Sequence, residues 1–132
     1  MGKRYSQKVF EMLRSGPTMV DGSGKPRSLK RLREAAAMLS DLVWYNRYQN
    51  RLFNIEQGDI KIVDEETSIE SREGRTISRE IWEQAQKAAR KLEKRYGEEN
   101  LGPWDDFEWG MINGKLSAIR WALGEEWDNL ET

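Results

Sequence analysis

Between Trp109 and Leu123 the apolar residues Trp109, Ile112, Leu116, Ile119 and Leu123 recur at steps of three, four, three and four. That spacing draws one seam along a helix and is the firmest architectural signal in the chain. Gly124 breaks the phase, and Trp127 and Leu130 resume it one residue late. Beside the seam, Gly110, Gly114, Ala118 and Ala122 are spaced by four, so a strip of the same helix has almost no side chain. Each interior glycine costs on the order of 1 kcal/mol relative to alanine. A close contact is expected to offset that cost: another helix of the same chain, or a second copy of this helix crossing through the strip. Gly110, Gly114, Ala118 and Ala122 are thus the candidate oligomer interface, and a homodimer is expected.

Three further segments have helical character. Ser6 to Ser15 is short and amphipathic, carries Val9, Phe10, Met12 and Leu13, and stops at Gly16-Pro17. After the turn-rich stretch from Asp21 to Pro26, Ser28 can N-cap a long second helix reaching about Glu56, ended by Gly58. Residues 58–77 mix Ile60, Ile62 and Val63 with many charges and are expected to form a short strand, a hairpin or an irregular loop. Ser78 can cap a third helix to about Tyr96, with Gly97 at its C-cap. Following Gly102-Pro103, Asp105 and Glu108 have the spacing of a capping box for the fourth helix. The expected fold is all-α: a four-helix bundle-like single domain over residues 1–132, with one long second helix and an irregular or short β segment near 58–77.

The length suits one domain with one core. Without cysteine there is no disulfide framework, thiolate metal site or thiol nucleophile. Without histidine the usual general base and the commonest transition-metal ligand are gone, so chemistry would have to run on carboxylates with Mg²⁺ or Mn²⁺. No catalytic residue, metal site or cofactor is expected. No apolar run approaches a membrane span of roughly 18 residues, and no apolar signal stretch opens the chain, so a cytoplasmic protein without membrane association is expected.

Charge is sorted along the chain. Residues 1–33 carry nine basic groups against Glu11 and Asp21, a net of +7. Residues 98–132 carry nine acidic groups against Lys115 and Arg120, a net of −7. Ends so polarised either neutralise each other, within a chain or between chains, or serve as separate footprints for partners.

On the second helix, Leu32, Ala36, Leu39 and Val43, with Ala35, Leu42 and Phe53 beside them, form the expected core side at 100° per residue. Lys30, Arg33, Ala37, Ser40, Trp44, Arg47, Tyr48 and Arg51 project elsewhere as one continuous face. Of these, Lys30, Arg33, Trp44, Arg47, Tyr48 and Arg51 are the candidate partner-binding residues. Cations interleaved with flat rings suit nucleic acid and equally suit a protein interface. The plainer alternative is that the acidic fourth helix lies across this face and Trp44 and Tyr48 belong to the core. Asn46 and Asn50 fall on the core side, which predicts either a bend near Trp44 or two buried amides with partners. Asn113, Ser117 and Arg120 share one side of the fourth helix, as a solvated face or an anion site.

Two resemblances bear on function. Leu39 to Tyr45, centred on Asp41, resembles the stretch around the second metal-binding helix of MazG-type nucleotide pyrophosphohydrolases, all-helical Mg²⁺ enzymes with Glu-x-x-Glu and Glu-x-x-Asp pairs. The glutamate of that family three residues before the aspartate is Met38 here. Asp105-x-x-Glu108 and Glu125-x-x-Asp128 form a second partial match, which would need the fourth helix to break at Asn113-Gly114. The tail carries the other likeness. Trp109-Gly110, Asn113-Gly114-Lys115-Leu116-Ser117-Ala118, Arg120-Trp121, Leu123-Gly124 and Trp127-Asp128 resemble the C-terminal ending of many small bacterial and phage proteins of no established activity. This resemblance implies a bacterial, phage or mobile-element origin.

The expected function is a non-enzymatic, phage- or mobile-element-encoded binding protein that regulates or inhibits by occluding a protein or nucleoprotein partner, for example a host defence complex. Direct nucleic-acid binding is the first alternative, and a Mg²⁺-dependent MazG-like hydrolase built on Asp41 the second.

Overall fold

A computed structural model describes residues 25–64 and 75–127. They form a mainly helical body: α1 (Leu29–Glu56), β1 (Lys61–Val63), β2 (Thr76–Ser78), α2 (Arg79–Tyr96), a 3₁₀ turn (Glu98–Asn100) and α3 (Asp106–Ala122). These three helices are the expected second, third and fourth. The expected first helix, Ser6 to Ser15, lies outside the described residues.

Local chemistry sets each boundary. Ser28 Oγ accepts from Arg31 N at 3.2 Å and starts α1; Ser78 Oγ accepts from Ile81 N at 3.2 Å and starts α2. Asp105 accepts from Glu108 N at 2.7 Å while Glu108 accepts from Asp105 N at 3.0 Å, so the capping box of α3 is complete. α2 stops at Gly97, whose φ of 87° lies where an L side chain is strained. Buried Asn100 then donates to Tyr96 O at 2.8 Å and satisfies one of the last carbonyls of α2.

The segment after α1 does form strands, though not a hairpin. β1 and β2 pair in parallel, with Lys61 beside Thr76, Ile62 beside Ile77 and Val63 beside Ser78. An Asp64–Arg79 ion pair at 2.9 Å closes the open end of the ladder. Ser78 ends β2 and caps α2, so the ladder aims α2 directly.

The core lies where α1 meets α2 and α3. Met38, Leu39, Leu42, Val43, Tyr45 and Tyr48 of α1 are buried with Trp82, Ala89 and Leu92 of α2, Ile112 and Leu116 of α3, and Ile77 and Leu101. In α2 the buried or half-buried residues Trp82, Ala85, Ala89, Leu92 and Tyr96 repeat at three and four, which makes it a one-faced helix. The α3 seam buries Ile112 and Leu116 fully and leaves Trp109, Ile119 and Leu123 half-buried.

Phe53 departs from the expected core side. It is 58% exposed, while Leu52 and Ile55 in the same last two turns of α1 pack against the core from another side of the helix. Asn46 is half-buried and Asn50 exposed on the same side of the helix. The two amides are therefore not both buried; they line an open groove.

Leu42 is 1% exposed, so Leu42→Ala should cost about 2–5 kcal/mol in urea unfolding. Phe53→Ser should stay within about 0.5 kcal/mol of the parent, despite its place in the apolar pattern of the helix.

Candidate functional site

The outward face of α1 carries Lys30, Arg33, Ala37, Trp44, Arg47 and Arg51, all exposed or at the edge of exposure. One hundred degrees per residue puts them on the side away from Leu42, and 21 residue steps separate Lys30 from Arg51, about 30 Å of helix. Arg120 of α3 reaches Ser40 Oγ at 3.4 Å, which places α3 along one flank of this face and not across it. Ser40 therefore leaves the face for a contact between helices.

Tyr48 sits lower than expected. It is 5% exposed and forms the floor of the site rather than its surface. Its ring stacks on Trp82 of α2 with centroids 5.2 Å apart and planes inclined by 17°. Trp44 stacks on the other side of Tyr48 at 5.7 Å and 11°, and remains 36% exposed. Three aromatic rings thus form a ladder from the core to the surface, and such stacks hold their members in one orientation. Trp44, Arg47, Tyr48, Arg51, Trp82 and Ala85 line a shallow cavity of about 210 Å³. Arg90 of α2 donates to Tyr48 Oη at 3.4 Å and adds a cation to its edge.

A second hollow, of about 290 Å³, opens on the other side of α1. Asn46, Gln49 and Asn50 face Glu98 and the loop of Leu101, Gly102 and Pro103, with a cis peptide bond between the last two. Between the hollows runs a polar layer joining α1 to α2. Tyr45 Oη donates to Glu93 Oε2 at 2.6 Å and accepts from Gln49 Nε2 at 2.8 Å. Arg90 pairs with the other oxygen of Glu93. One turn away, Tyr96 Oη donates to Asp41 Oδ2 at 2.9 Å, with Arg95 at 3.4 Å from the same oxygen.

Burial, and then the hydrogen bond to Glu93, hold the Tyr45 phenol well above the usual tyrosine range. Tyr96 is pushed up to about 12 by burial and by its bond to Asp41. Burial pushes the Glu93 carboxyl up, but the hydrogen bonds from Tyr45 and Arg90, with the Arg90 charge, reverse this and leave it below its ordinary value of 4.5. Glu93 is therefore an ionised acceptor, and both phenols are donors.

Asp41 is engaged by Tyr96 and Arg95, and Met38, at the position of the MazG glutamate, is 5% exposed in the core. Asp105 and Glu108 cap α3, and Asp128 lies outside the described residues. Among the described residues no group of three acidic side chains is arranged to hold a metal ion, and no helix is long and apolar enough to cross a membrane.

The Asn113, Ser117 and Arg120 triplet is used inside the chain. Asn113 donates to Trp109 O at 2.8 Å, Ser117 to Trp127 O at 3.3 Å, and Arg120 to Ser40. At Gly110 and Gly114 an added Cβ would meet nothing within 4 Å, and Ala118 and Ala122 are exposed, so no described helix covers the small strip. Sequence reasoning missed Trp82, whose indole supports the whole aromatic ladder. The alternation of threes and fours in α2 was the available signal. Comparison with known proteins finds no matching family model, no matching curated protein and no matching solved structure.

Glu93, with its depressed pKa, contributes stability that is present above about pH 4.5 and is lost as pH falls through its folded-state value. Glu93→Gln should therefore lower the Tm at pH 7 and flatten its fall on the acid side. The two proteins should converge near pH 3, as read by circular dichroism melts across pH.

Proposed function

We propose that this chain is a non-enzymatic binding protein that docks through the outward face of α1 onto an acidic surface of a macromolecular partner and occludes it. The carrying observation is Trp44: about a third of it is presented to solvent, its ring is stacked on Tyr48, which is itself stacked on Trp82, and Arg47 and Arg51 lie beside it over a shallow hollow. A rigid aromatic anchor ringed by guanidinium groups is the commonest composition of a binding hot spot. Its orientation is set by packing before the partner arrives, so little freedom is lost on docking. Lys30 and Arg33 continue the positive charge along the same helix and would steer an acidic surface toward it. With the tail resemblance, the reading is a cytoplasmic, phage- or mobile-element-encoded inhibitor of a protein or nucleoprotein complex. Residues 1–14 add four more cations to the basic end of the sequence.

A second reading is direct binding of single-stranded nucleic acid, favoured by the exposed Trp44 ring with cations on both sides, since bases stack on such rings.

Affinity capture from a bacterial host lysate, with and without nuclease, separates the two. For the first, capture survives nuclease and weakens at least tenfold in Trp44→Ala and in Arg47→Ala/Arg51→Ala. A captured partner that ignores all three substitutions sinks it. For the second, anisotropy with labelled single-stranded DNA should give a salt slope of about −3 for four phosphate contacts by Lys30, Arg33, Arg47 and Arg51. A flat salt response excludes it.

A further inference from the structure

α3 is apolar on two opposite sides. Ile112 and Leu116 face the core, while Phe107, Gly110, Met111, Gly114, Ala118 and Trp121 fall within about 60° of one another's midline on the reverse side. Asp106, Asn113, Ser117 and Arg120 on one flank and Glu108 and Lys115 on the other separate the two sides. Here Phe107 is 76%, Met111 44% and Trp121 54% exposed. The chain then turns back beyond α3: Ser117 Oγ donates to Trp127 O, and Trp127, 62% exposed, packs edge-on against Trp121 with centroids 5.0 Å apart. Trp127 thereby extends the same face. At about 150–250 Å² per aromatic side chain, this face leaves on the order of 500 Å² of apolar surface in water. Two copies would bury about 1,000 Å², the lower bound for a specific interface.

We propose that this face of α3 binds the same face of a second copy of the chain, the two helices running antiparallel and crossing at Gly114. The occupant follows from the order of residues along the face. Crossing at Gly114 with opposite direction sets Gly114 against Gly114, Gly110 against Ala118 and Phe107 against Trp121, so small meets small at the centre and large meets large at the ends. A two-fold interface requires this self-complementarity. The same operation brings Asp106, in the first turn, onto the flank that carries Arg120 of the second copy, and opposes the two helix dipoles. A parallel pair would instead set the acidic first turns side by side. The open space at Gly110 and Gly114 is what lets the two backbones approach. The dimer does not depend on the α1 reading and leaves both α1 faces uncovered, so a partner with two acidic sites would be held bivalently.

Sedimentation equilibrium on the full chain should show a reversible dimer by about 100 μM protein. Gly114→Leu, which has room in the monomer and suits a helix better than glycine, should raise the dimer dissociation constant at least tenfold with helical circular dichroism unchanged. Trp121→Glu, at an exposed position, should do the same by a different route. Because the chain has no cysteine, orientation can be read by mild oxidation. Gly114→Cys should cross-link, Phe107→Cys alone should not, its two copies lying about 21 Å apart along the helix, and Gly110→Cys with Ala118→Cys, which leaves the aromatic residues in place, should. A strict monomer, as expected if another part of the chain or a different protein covers the face, overturns the proposal. So does a dimer indifferent to both Gly114→Leu and Trp121→Glu, or cross-linking of Phe107→Cys as efficient as that of Gly114→Cys.

Discussion

The burial of one side of α1 against two other helices at once is the constraint on which the rest of the structure depends. Helices of 28, 18 and 17 residues gain most of their stability from packing, not from propensity. Leu39, Leu42, Val43, Ile112 and Leu116, all at or below 3% exposure, form the common layer, and Met38, Tyr45 and Tyr48 extend it to Trp82, Ala89 and Leu92. Without that layer neither α2 nor α3 has a partner for its apolar seam, because neither is joined to the other by comparable packing. The β1–β2 ladder is too short to substitute. Its work is to deliver Ser78 to the start of α2.

Polar groups decide how α2 sits on α1. A purely apolar contact tolerates sliding by a turn; the Tyr45–Glu93 and Tyr96–Asp41 bonds do not, since each buries a phenol whose hydroxyl must find its acceptor. Asn100 acts locally, tying the 3₁₀ turn to the end of α2. The exposed ion pairs, Arg31–Glu34 and Asp64–Arg79, contribute little in water by comparison. The register of α2 on α1 is thus set by two hydroxyls rather than by surface charge.

Once these demands are met, two surfaces remain that the core does not use. The outward side of α1 is cationic with one supported indole, and the outward side of α3 is apolar with a bare centre. They lie on different helices and differ in chemistry, which is why they are assigned different occupants. Where α3 runs beside α1, Arg120 donates to Ser40 at 3.4 Å.

What the sequence determined by itself was local. Ser28, Ser78, Asp105 with Glu108, and Gly97 mark the helix ends within a residue, because capping is a contest among neighbouring backbone groups and needs no distant contact. The α3 seam was legible for the same reason. The expected face of α1 was legible as a face, but not in depth: only packing against Trp82 sinks Tyr48 to the floor while lifting Trp44 to the rim. Tertiary structure alone decided that Phe53 and Asn50 are exposed and Asn46 half-buried, that the strands run parallel, and that no described helix lies over the glycine strip. Periodicity states which side of a helix is apolar; how far along that side a neighbour extends depends on where other helices stop, and that is fixed only when the chain closes on itself.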